Sequence, residues 1–409
     1  MIHFKNLHPF ALIISLISTS FAQVNEFKLV ASDGAKNHYF GKSVAIDNEY
    51  AVIGASWTED RKGSVYIFSK DENMWIEETK LVASDGETED YFGEEVDVSG
   101  DFVIVGSPYD DGLYKDSGSA FIFHRTGGKW TLQEKLNSDA YFSRNNFGQS
   151  VSIDGNYAII GASGDNDVPE GSGSAYIFVR SGTSWNQQAK LTAKIPQKNA
   201  HFGTSVSISN NYAIIGAPFE NYSNKENESV GAVYVFKRIG KKWLQTTKLS
   251  AKGTRSSSFG KEVSISGDNI IVSAKTTFKE NSIGAVYIFH KNQNKWLLES
   301  KLISEQLKET NAKINRVFFG SSVTINENYA IVGAMYSGFK EKTTGSASVY
   351  HRVNKKWLLL SIIRSSDIAP LDYFGCAASI SKNYYIIGAA WKESKEFGTG
   401  SAYIYPVRE

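Results

Sequence analysis

The sequence predicts an all-β fold: a seven-bladed β-propeller of four-stranded antiparallel blades, closed by its N-terminal strand. Three observations carry this. Phe-Gly recurs at Phe40-Gly41, Phe92-Gly93, Phe147-Gly148, Phe202-Gly203, Phe259-Gly260, Phe319-Gly320 and Phe374-Gly375, at intervals of 52, 55, 55, 57, 60 and 55 residues, and a period of this size marks a repeat architecture. Each interval reads as four short β segments separated by turn signals, with no helical period. The middle segments are apolar on both faces, so each sheet must be covered on both sides, as sheets stacked around an axis are.

From the N-terminus, Phe4–Ala22 reads as a secretory signal. Lys5 supplies the positive region, Phe10–Ile17 an apolar stretch too short to span a bilayer, and Ser20-Phe21-Ala22 a small-x-small cleavage site. Residues 1–22 are therefore expected to be removed. The mature chain is expected to be secreted, extracellular or at the cell surface, with the periplasm as the alternative compartment. The repeat leaves no gap for a domain boundary, so 23–409 is expected to be one propeller. Losing the single lysine of residues 1–22 leaves 43 basic against 43 acidic residues. That balance points to neither nucleic acid nor an anionic membrane as partner. The one cysteine, Cys376, rules out intrachain disulfides and reads as a small buried hydrophobe.

The third repeat is the template. Ser150–Ile153 is a first strand with small residues at alternate positions, suited to a crowded centre. Asp154-Gly155-Asn156 is a tight turn. Tyr157–Ala162 and Gly173–Arg180 are strands apolar on both faces, joined by the longer polar loop Ser163–Ser172. Trp185–Leu191 alternates as an outer, half-exposed strand. The seventh repeat stops short: after Gly400–Tyr405 the chain ends at Glu409 with no fourth strand. The missing strand lies at the other end, because Phe27–Gly34 (FKLVASDG) repeats the Lys80–Gly86 stretch (KLVASDG). Counting back from Lys28, the outer-strand tryptophan of the other blades is replaced by Gln23.

These residues resemble the FG-GAP repeat family, whose best-known members are the seven-bladed heads of integrin α subunits. The Phe-Gly pairs match one half of the motif. Gly54-Ala55-Ser56, Gly106-Ser107-Pro108, Gly161-Ala162-Ser163, Gly216-Ala217-Pro218, Gly333-Ala334-Met335 and Gly388-Ala389-Ala390 match the other, with Ser273-Ala274-Lys275 as the degenerate member. The resemblance covers nearly all of 23–409, and the Trp-x4-Lys-Leu element looks like the subgroup found in secreted and surface proteins of bacteria. It implies adhesion or ligand recognition on one face of the ring. It does not carry calcium sites with it. The turn between the first and second strands, as at Asp47-Asn48-Glu49 or Asp154-Gly155-Asn156, is too short to wrap an ion that needs six to eight converging oxygens. No metal and no cofactor are expected.

Other chemistry-bearing residues read as structural. Asp110, Asp111 and Asp116, and Asp165 and Asp167, lie in the loop after the second strand and read as solvated turns rather than cation ligands. Asp33 and Asp85 sit in Ser-Asp-Gly turns, where side-chain-to-backbone bonds are favoured. His124, His290 and His351 share one repeat position and so lie in different blades, which excludes a common site. No nucleophile–base spacing and no axial cluster of acids stands out, so no catalytic residue is assigned. Trp75, Trp130, Trp185, Trp243, Trp296 and Trp357 hold a fixed place in the repeat and read as packing between blades.

The loop after the second strand carries aromatics that this repeat reading does not account for: Trp57, Tyr109, Phe219, Tyr222, Tyr336 and Trp391, with Phe278, Phe339 and Phe397 nearby. That loop and the connection between blades open on one face, and the two tight turns on the other. The six residues are the candidate ligand-binding set, with Asp110, Asp111, Glu220 and Lys392 as a polar rim. The expected function is a non-catalytic binding or adhesion propeller, a monomer that takes a protein or glycan on its long-loop face. The alternatives are a structural or matrix module without a discrete ligand, or a propeller hydrolase or lyase.

Overall fold

The computed structural model describes residues 25–112, 114–139, 143–166, 169–221, 230–251, 256–278, 281–304, 318–339, 342–367, 369–392 and 398–407. The expected leader at 1–22, Tyr222 and Phe397 lie outside them. Seven four-stranded antiparallel meanders stand around one axis, that of blade 5 with the short strand Ser256–Ser257 added to its sheet. Blade 3 shows the pattern: an inner strand Phe147–Asp154, then Tyr157–Ala162, Ser174–Ser181 and the outer strand Ser184–Leu191. Blade 7 takes Ala378–Ile380, Tyr384–Ala389 and Ser401–Pro406 from the C-terminal end and Phe27–Leu29 from the N-terminal end. Phe27, Lys28 and Leu29 pair with Ile404, Tyr403 and Ala402, so the closing strand sits where the sequence places it. One feature differs from the all-strand expectation. Thr58–Arg61, in the long loop of blade 1, forms a single helical turn, distorted at Glu59 and Asp60.

Both halves of the repeated motif have a steric cause. The Phe of Phe-Gly is fully buried, and in blade 1 Phe40 packs edge-on against Tyr66 and Phe68 of the third strand. The glycine after it turns the chain at φ near +90°, a region that side chains avoid. That glycine lies against the Gly-Ala-Pro-type glycine of the preceding blade. A Cβ on Gly106 would meet the Gly148 carbonyl oxygen at 1.9 Å, and one on Gly161 would meet that of Gly203 at 2.1 Å. Backbone therefore touches backbone at each blade junction.

The small residues of the inner strands also have a task. An inner strand is a sheet edge, and its outward N–H groups need acceptors. The preceding blade supplies them from side chains. Val206 N–H donates to Ser150 Oγ at 3.0 Å, Ile208 to Ser152 Oγ at 3.3 Å, Ile265 to Ser207 Oγ at 3.2 Å and Ile153 to Asp97 Oδ2 at 2.8 Å. The tight turns repeat the device: Gly100 N–H donates to Asp47 Oδ2 at 2.8 Å and Asn210 N–H to Asp154 Oδ2 at 2.5 Å.

The outer-strand tryptophans are buried between blades. Trp130 meets Tyr50 edge-on, as Trp185 meets Phe102, Trp243 meets Tyr157, Trp296 meets Tyr212 and Trp75 meets Tyr384. His124 and His351 stack flat on the aromatic that opens their own second strand, Phe102 and Tyr329.

Candidate functional site: the axial mouth

Asp111 is exposed as expected, but other loop acids are not solvated. Asp110, Asp165 and Glu220 are buried, each four residues after the glycine of the Gly-Ala-Pro element. Each meets the lysine of its own outer strand: Lys135 with Asp110 and Lys190 with Asp165, both at 2.9 Å, and Lys248 with Glu220. The third-strand tyrosine completes the group, Tyr176 Oη–H donating to Asp165 at 2.8 Å and Tyr234 to Glu220 at 2.6 Å. The lysine ammonium also lies over that ring, 5.4 Å from the Tyr176 centroid. Each of these buried acids is thus met by an internal cation. Asp33 and Asp85 join the same scheme, accepting from Lys80 at 2.8 Å and Lys135 at 2.7 Å. Among the described residues no three His, Cys, Asp or Glu side chains converge as a metal site.

Blade 7 reverses the charges. Lys392 takes the buried acid's position, and its ammonium pairs with the buried Asp372 at 2.8 Å. Lys392 is therefore internal, not part of a rim. Burial pushes the Asp372 carboxyl up even with that partner. Replacing Lys392 with Met should cost about 3–5 kcal/mol, because it strands a buried carboxylate. Urea unfolding at pH 7 measures this, and adding Asp372→Asn should recover part of the loss. A single variant as stable as the parent would show that the pair does not hold the blade.

The candidate aromatics stand where the long loops meet the axis. Trp57, Tyr109 and Phe219 are exposed, while Trp391 and Tyr336 are half-buried. They are not outside the repeat. Trp57, Tyr109, Phe219, Tyr336 and Trp391 each lie three residues after the glycine of the Gly-Ala-Pro element. A second repeat position alternates with them: the residue before Phe-Gly, which is Tyr39, Tyr91, His201, Phe318 and Tyr373 in five blades. The two series interlock. Centroid distances run Phe318–Tyr336 4.8 Å, Tyr336–Tyr373 4.9 Å, Tyr373–Trp391 5.0 Å, Trp391–Tyr39 5.2 Å, Tyr39–Trp57 5.0 Å, Trp57–Tyr91 5.9 Å and Tyr91–Tyr109 5.4 Å. Eight rings form one arc across blades 6, 7, 1 and 2. His201 and Phe219 make a separate pair in blade 4, 5.3 Å apart. Tyr39, Tyr91 and Tyr373 hold φ of +53°, +56° and +54°. Asn146, His201 and Ser258 hold the same conformation in blades 3, 4 and 5, so the turn before Phe-Gly sets it in the repeat as a whole.

Below the arc the channel holds a cavity of about 410 Å³, lined by the residues that follow each Phe-Gly and reached by Trp391. Its charged wall is Lys42, Glu94, Glu95, Lys261 and Glu262. Glu94 is tied on both oxygens, to Lys42 Nζ and Ser56 Oγ, each at 2.8 Å. Burial, with the facing Glu262 next in weight, pushes the Glu95 carboxyl up to about 8. Burial likewise pushes Glu262 up to about 7. Cys376 lines this channel rather than the core, half-buried, its thiol donating to the Gly41 carbonyl at 3.5 Å and pushed up by burial. An axial cluster of acids therefore exists. Its signal is the pair of positions after Phe-Gly, which read Lys-Ser, Glu-Glu, Gln-Ser, Thr-Ser, Lys-Glu, Ser-Ser and Cys-Ala in blades 1 to 7. The two intramolecular ring series are visible by the same alignment of repeats.

This geometry defines a seven-bladed propeller with a ring-lined opening at the long-loop end of its axis. The chain belongs to the FG-GAP repeat family: the family model for the FG-GAP repeat matches residues 24–68, 75–123, 130–178, 185–236, 243–289, 315–350 and 357–405. No curated protein matches the chain. Similar solved structures include a protein from Lactobacillus plantarum, with TM-score 0.49 and 12% identity over 79% of this chain and 84% of that one. Another is Sqt1 of Saccharomyces cerevisiae, with TM-score 0.48 and 8% identity over 94% of this chain and 98% of that one. No helix among the described residues is long and apolar enough to cross a membrane.

Proposed function

We propose that this chain is a non-catalytic binding propeller, outside the cell or on its surface, that seats a basic side chain of a protein partner in its axial mouth. The observation that carries this is the eight-ring arc around a channel wall of three glutamates against two lysines. Ring faces attract cations, and unpaired carboxyls below them reward one. Neighbouring rings in the arc are inclined by 51–88°. Such rings make a cup rather than the flat platform that favours a sugar. Tyr and Trp are also the usual anchors of protein interfaces. The extracellular placement rests on the leader at 1–22. A hydrolase or lyase reading has one observation in its favour, the axial carboxyls Glu95 and Glu262.

Calorimetry with a tetralysine peptide tests the reading. Binding at pH 8.5 is expected to weaken by at least ~1 kcal/mol in Tyr39→Ala and in Trp391→Ala. It should also weaken as pH falls through the range from about 8 to about 7, because Glu95 and then Glu262 take up protons and cease to attract a cation. Equal affinity in parent and variants, or binding that strengthens with acid, would remove the mouth as the site. Binding of neutral oligosaccharides in preference to the peptide would return the partner to the glycan class.

A further inference from the structure

The outer rim of blades 4 to 6 differs chemically from the rest of the ring and owes nothing to the mouth. The even charge balance of 23–409 is a sum of unlike parts. Each hairpin that joins a third strand to an outer strand has its tip on the tight-turn face. In blades 1 to 3 the tips read Asp71-Glu72-Asn73-Met74, Thr126-Gly127-Gly128-Lys129 and Ser181-Gly182-Thr183-Ser184. In blades 4 to 6 they read Ile239-Gly240-Lys241-Lys242, Asn292-Gln293-Asn294-Lys295 and Val353-Asn354-Lys355-Lys356. Three adjacent tips thus hold five lysines and no acid, and all five lysines are exposed. Among the described residues, the ion pairs of these blades use other cations: Lys248 with Glu220, Lys291 with Asp268 at 2.8 Å and Arg352 with Glu299 at 2.6 Å.

A row of apolar side chains runs beside these lysines. The outer strands of the three blades are Lys242–Leu249, Lys295–Ile303 and Lys356–Ile363. Two residues after the opening lysine each exposes a leucine: Leu244, Leu297 and Leu358. Residues two apart on a strand point to the same side, so each leucine stands next to its lysine. In blades 5 and 6 a second exposed leucine follows, Leu298 and Leu359, and the tips of blades 4 and 6 add Ile239 and Val353. All of these side chains are 36–58% exposed. In blades 1 to 3 the corresponding pairs are Ile76-Glu77, Thr131-Leu132 and Asn186-Gln187. Exposed leucines and unpaired lysines therefore gather on the same three neighbouring blades.

We propose that this corner of the ring, where the rim of blades 4 to 6 meets the tight-turn face, docks peripherally on an anionic phospholipid bilayer. Contiguous exposed apolar surface marks an interaction site. Here it lies beside a cluster of one charge sign, which selects the partner. A soluble polyanion rewards the lysines and leaves the leucines in water. An apolar peptide rewards the leucines and leaves the lysines without a counter-charge. A bilayer surface meets both, with anionic headgroups outside and acyl chains just beneath. The shape agrees, because the tips of three adjacent blades form a convex edge that suits a broad surface rather than a segment filling a cleft. A second copy docked corner to corner would bring five lysines against five. The mouth opens on the opposite face, so a ring held by this corner keeps it clear of the bilayer.

The test is co-sedimentation of the intact protein with vesicles of phosphatidylcholine alone and of equal parts phosphatidylcholine and phosphatidylserine. Binding is expected to the mixed vesicles in preference to the neutral ones, and it should weaken as salt is added. Combining Lys241→Glu, Lys295→Glu and Lys355→Glu is expected to weaken it by at least ~ten-fold. Combining Leu298→Ser with Leu359→Ser is expected to weaken it by roughly five-fold. All five positions are exposed, so the melting temperatures should stay at the parent value. Lys129→Glu in blade 2 is the control and should bind as the parent does. Failure of the parent to sediment with the mixed vesicles overturns the proposal, as does equal binding to both vesicle types. A loss in Lys129→Glu as large as in the triple variant overturns the assignment to blades 4 to 6. Capture of poly-L-glutamate by the parent and the leucine variant alike, without vesicle binding, overturns it in favour of a soluble acidic polymer.

Discussion

Removal of residues 23–33 is expected to open the ring and lower the melting temperature steeply. The segment does more than add three backbone pairs to Ser401–Pro406. Leu29 and Ala31 are buried in the core shared by blades 7 and 1. Glu26 accepts from Tyr405 Oη–H at 2.7 Å, Lys28 meets Asp367 at 2.7 Å, and Asp33 accepts from Tyr66 Oη–H at 2.6 Å and Lys80 at 2.8 Å. The contacts of Glu26 and Lys28 join the two ends of the chain and those of Asp33 tie the segment to blade 1; a propeller without them is an open stack with an unpaired edge. Truncation also strands the hydroxyls of Tyr66 and Tyr405 at sites built to be satisfied, at about 1–3 kcal/mol each. Differential scanning calorimetry of the truncated protein measures the effect. A melting curve unchanged from the parent would mean that the ring does not depend on its closing strand.

Gly106→Ala is expected to destabilise the ring severely for a single added methyl group. The new Cβ would stand 1.9 Å from the Gly148 carbonyl oxygen and 3.0 Å from its carbon. Both are backbone of the next blade, so no side chain can swing aside. Blade 2 must move from blade 3, at a cost on the order of 3 kcal/mol. Gly155→Ala is the control. It sits at φ +57° with nothing within 4 Å, so it carries only the backbone penalty of about 1–2 kcal/mol. Equal losses in urea titrations of the two variants would show that contact between blades is not what the Gly-Ala-Pro glycine serves. Blade 5 shows how the fold relaxes this rule. Ser273 replaces the glycine there, and a Cβ on the facing Gly320 would lie 3.0 Å from the Ser273 Cβ, not against a carbonyl.

Much of this molecule was legible in the chain because a repeat states its own structure seven times. The alternation of Ser150, Val151, Ser152 and Ile153 locates an inner strand. The doubly apolar Tyr157–Ala162 locates a buried one. The match of Lys28–Gly34 to Lys80–Gly86 locates the closing strand at the opposite end of the sequence. Hydrophobic period, turn chemistry and register are local properties, and sequence carries them directly. The aromatics after the second strand were also found as individuals, Trp57, Tyr109 and Trp391 among them. Their regularity was hidden because blades 3 and 5 carry Gly164 and Thr276 at that position, which breaks the series.

What the tertiary structure alone decided is which groups meet. Asp110, Asp165, Glu220 and Lys392 read as solvent-facing because their loops are polar. Folding brings a lysine from the outer strand, some 25–28 residues away, onto each acid. For Lys392 it brings Asp372, and such a pair persists inside only because each charge neutralises the other. Tyr39 and Trp391 are 352 positions apart in the sequence and 5.2 Å apart in the ring, because closure sets blade 7 beside blade 1. Glu95 and Glu262 come to share one channel for the same reason: the axis gathers the first residues of every inner strand, whatever their separation along the chain. Sequence by itself determined the blades, their number and their closure, since each follows from short-range pattern. The charged axis and the aromatic arc are properties of the ring, and come into being only when separate stretches of the chain are brought around one axis.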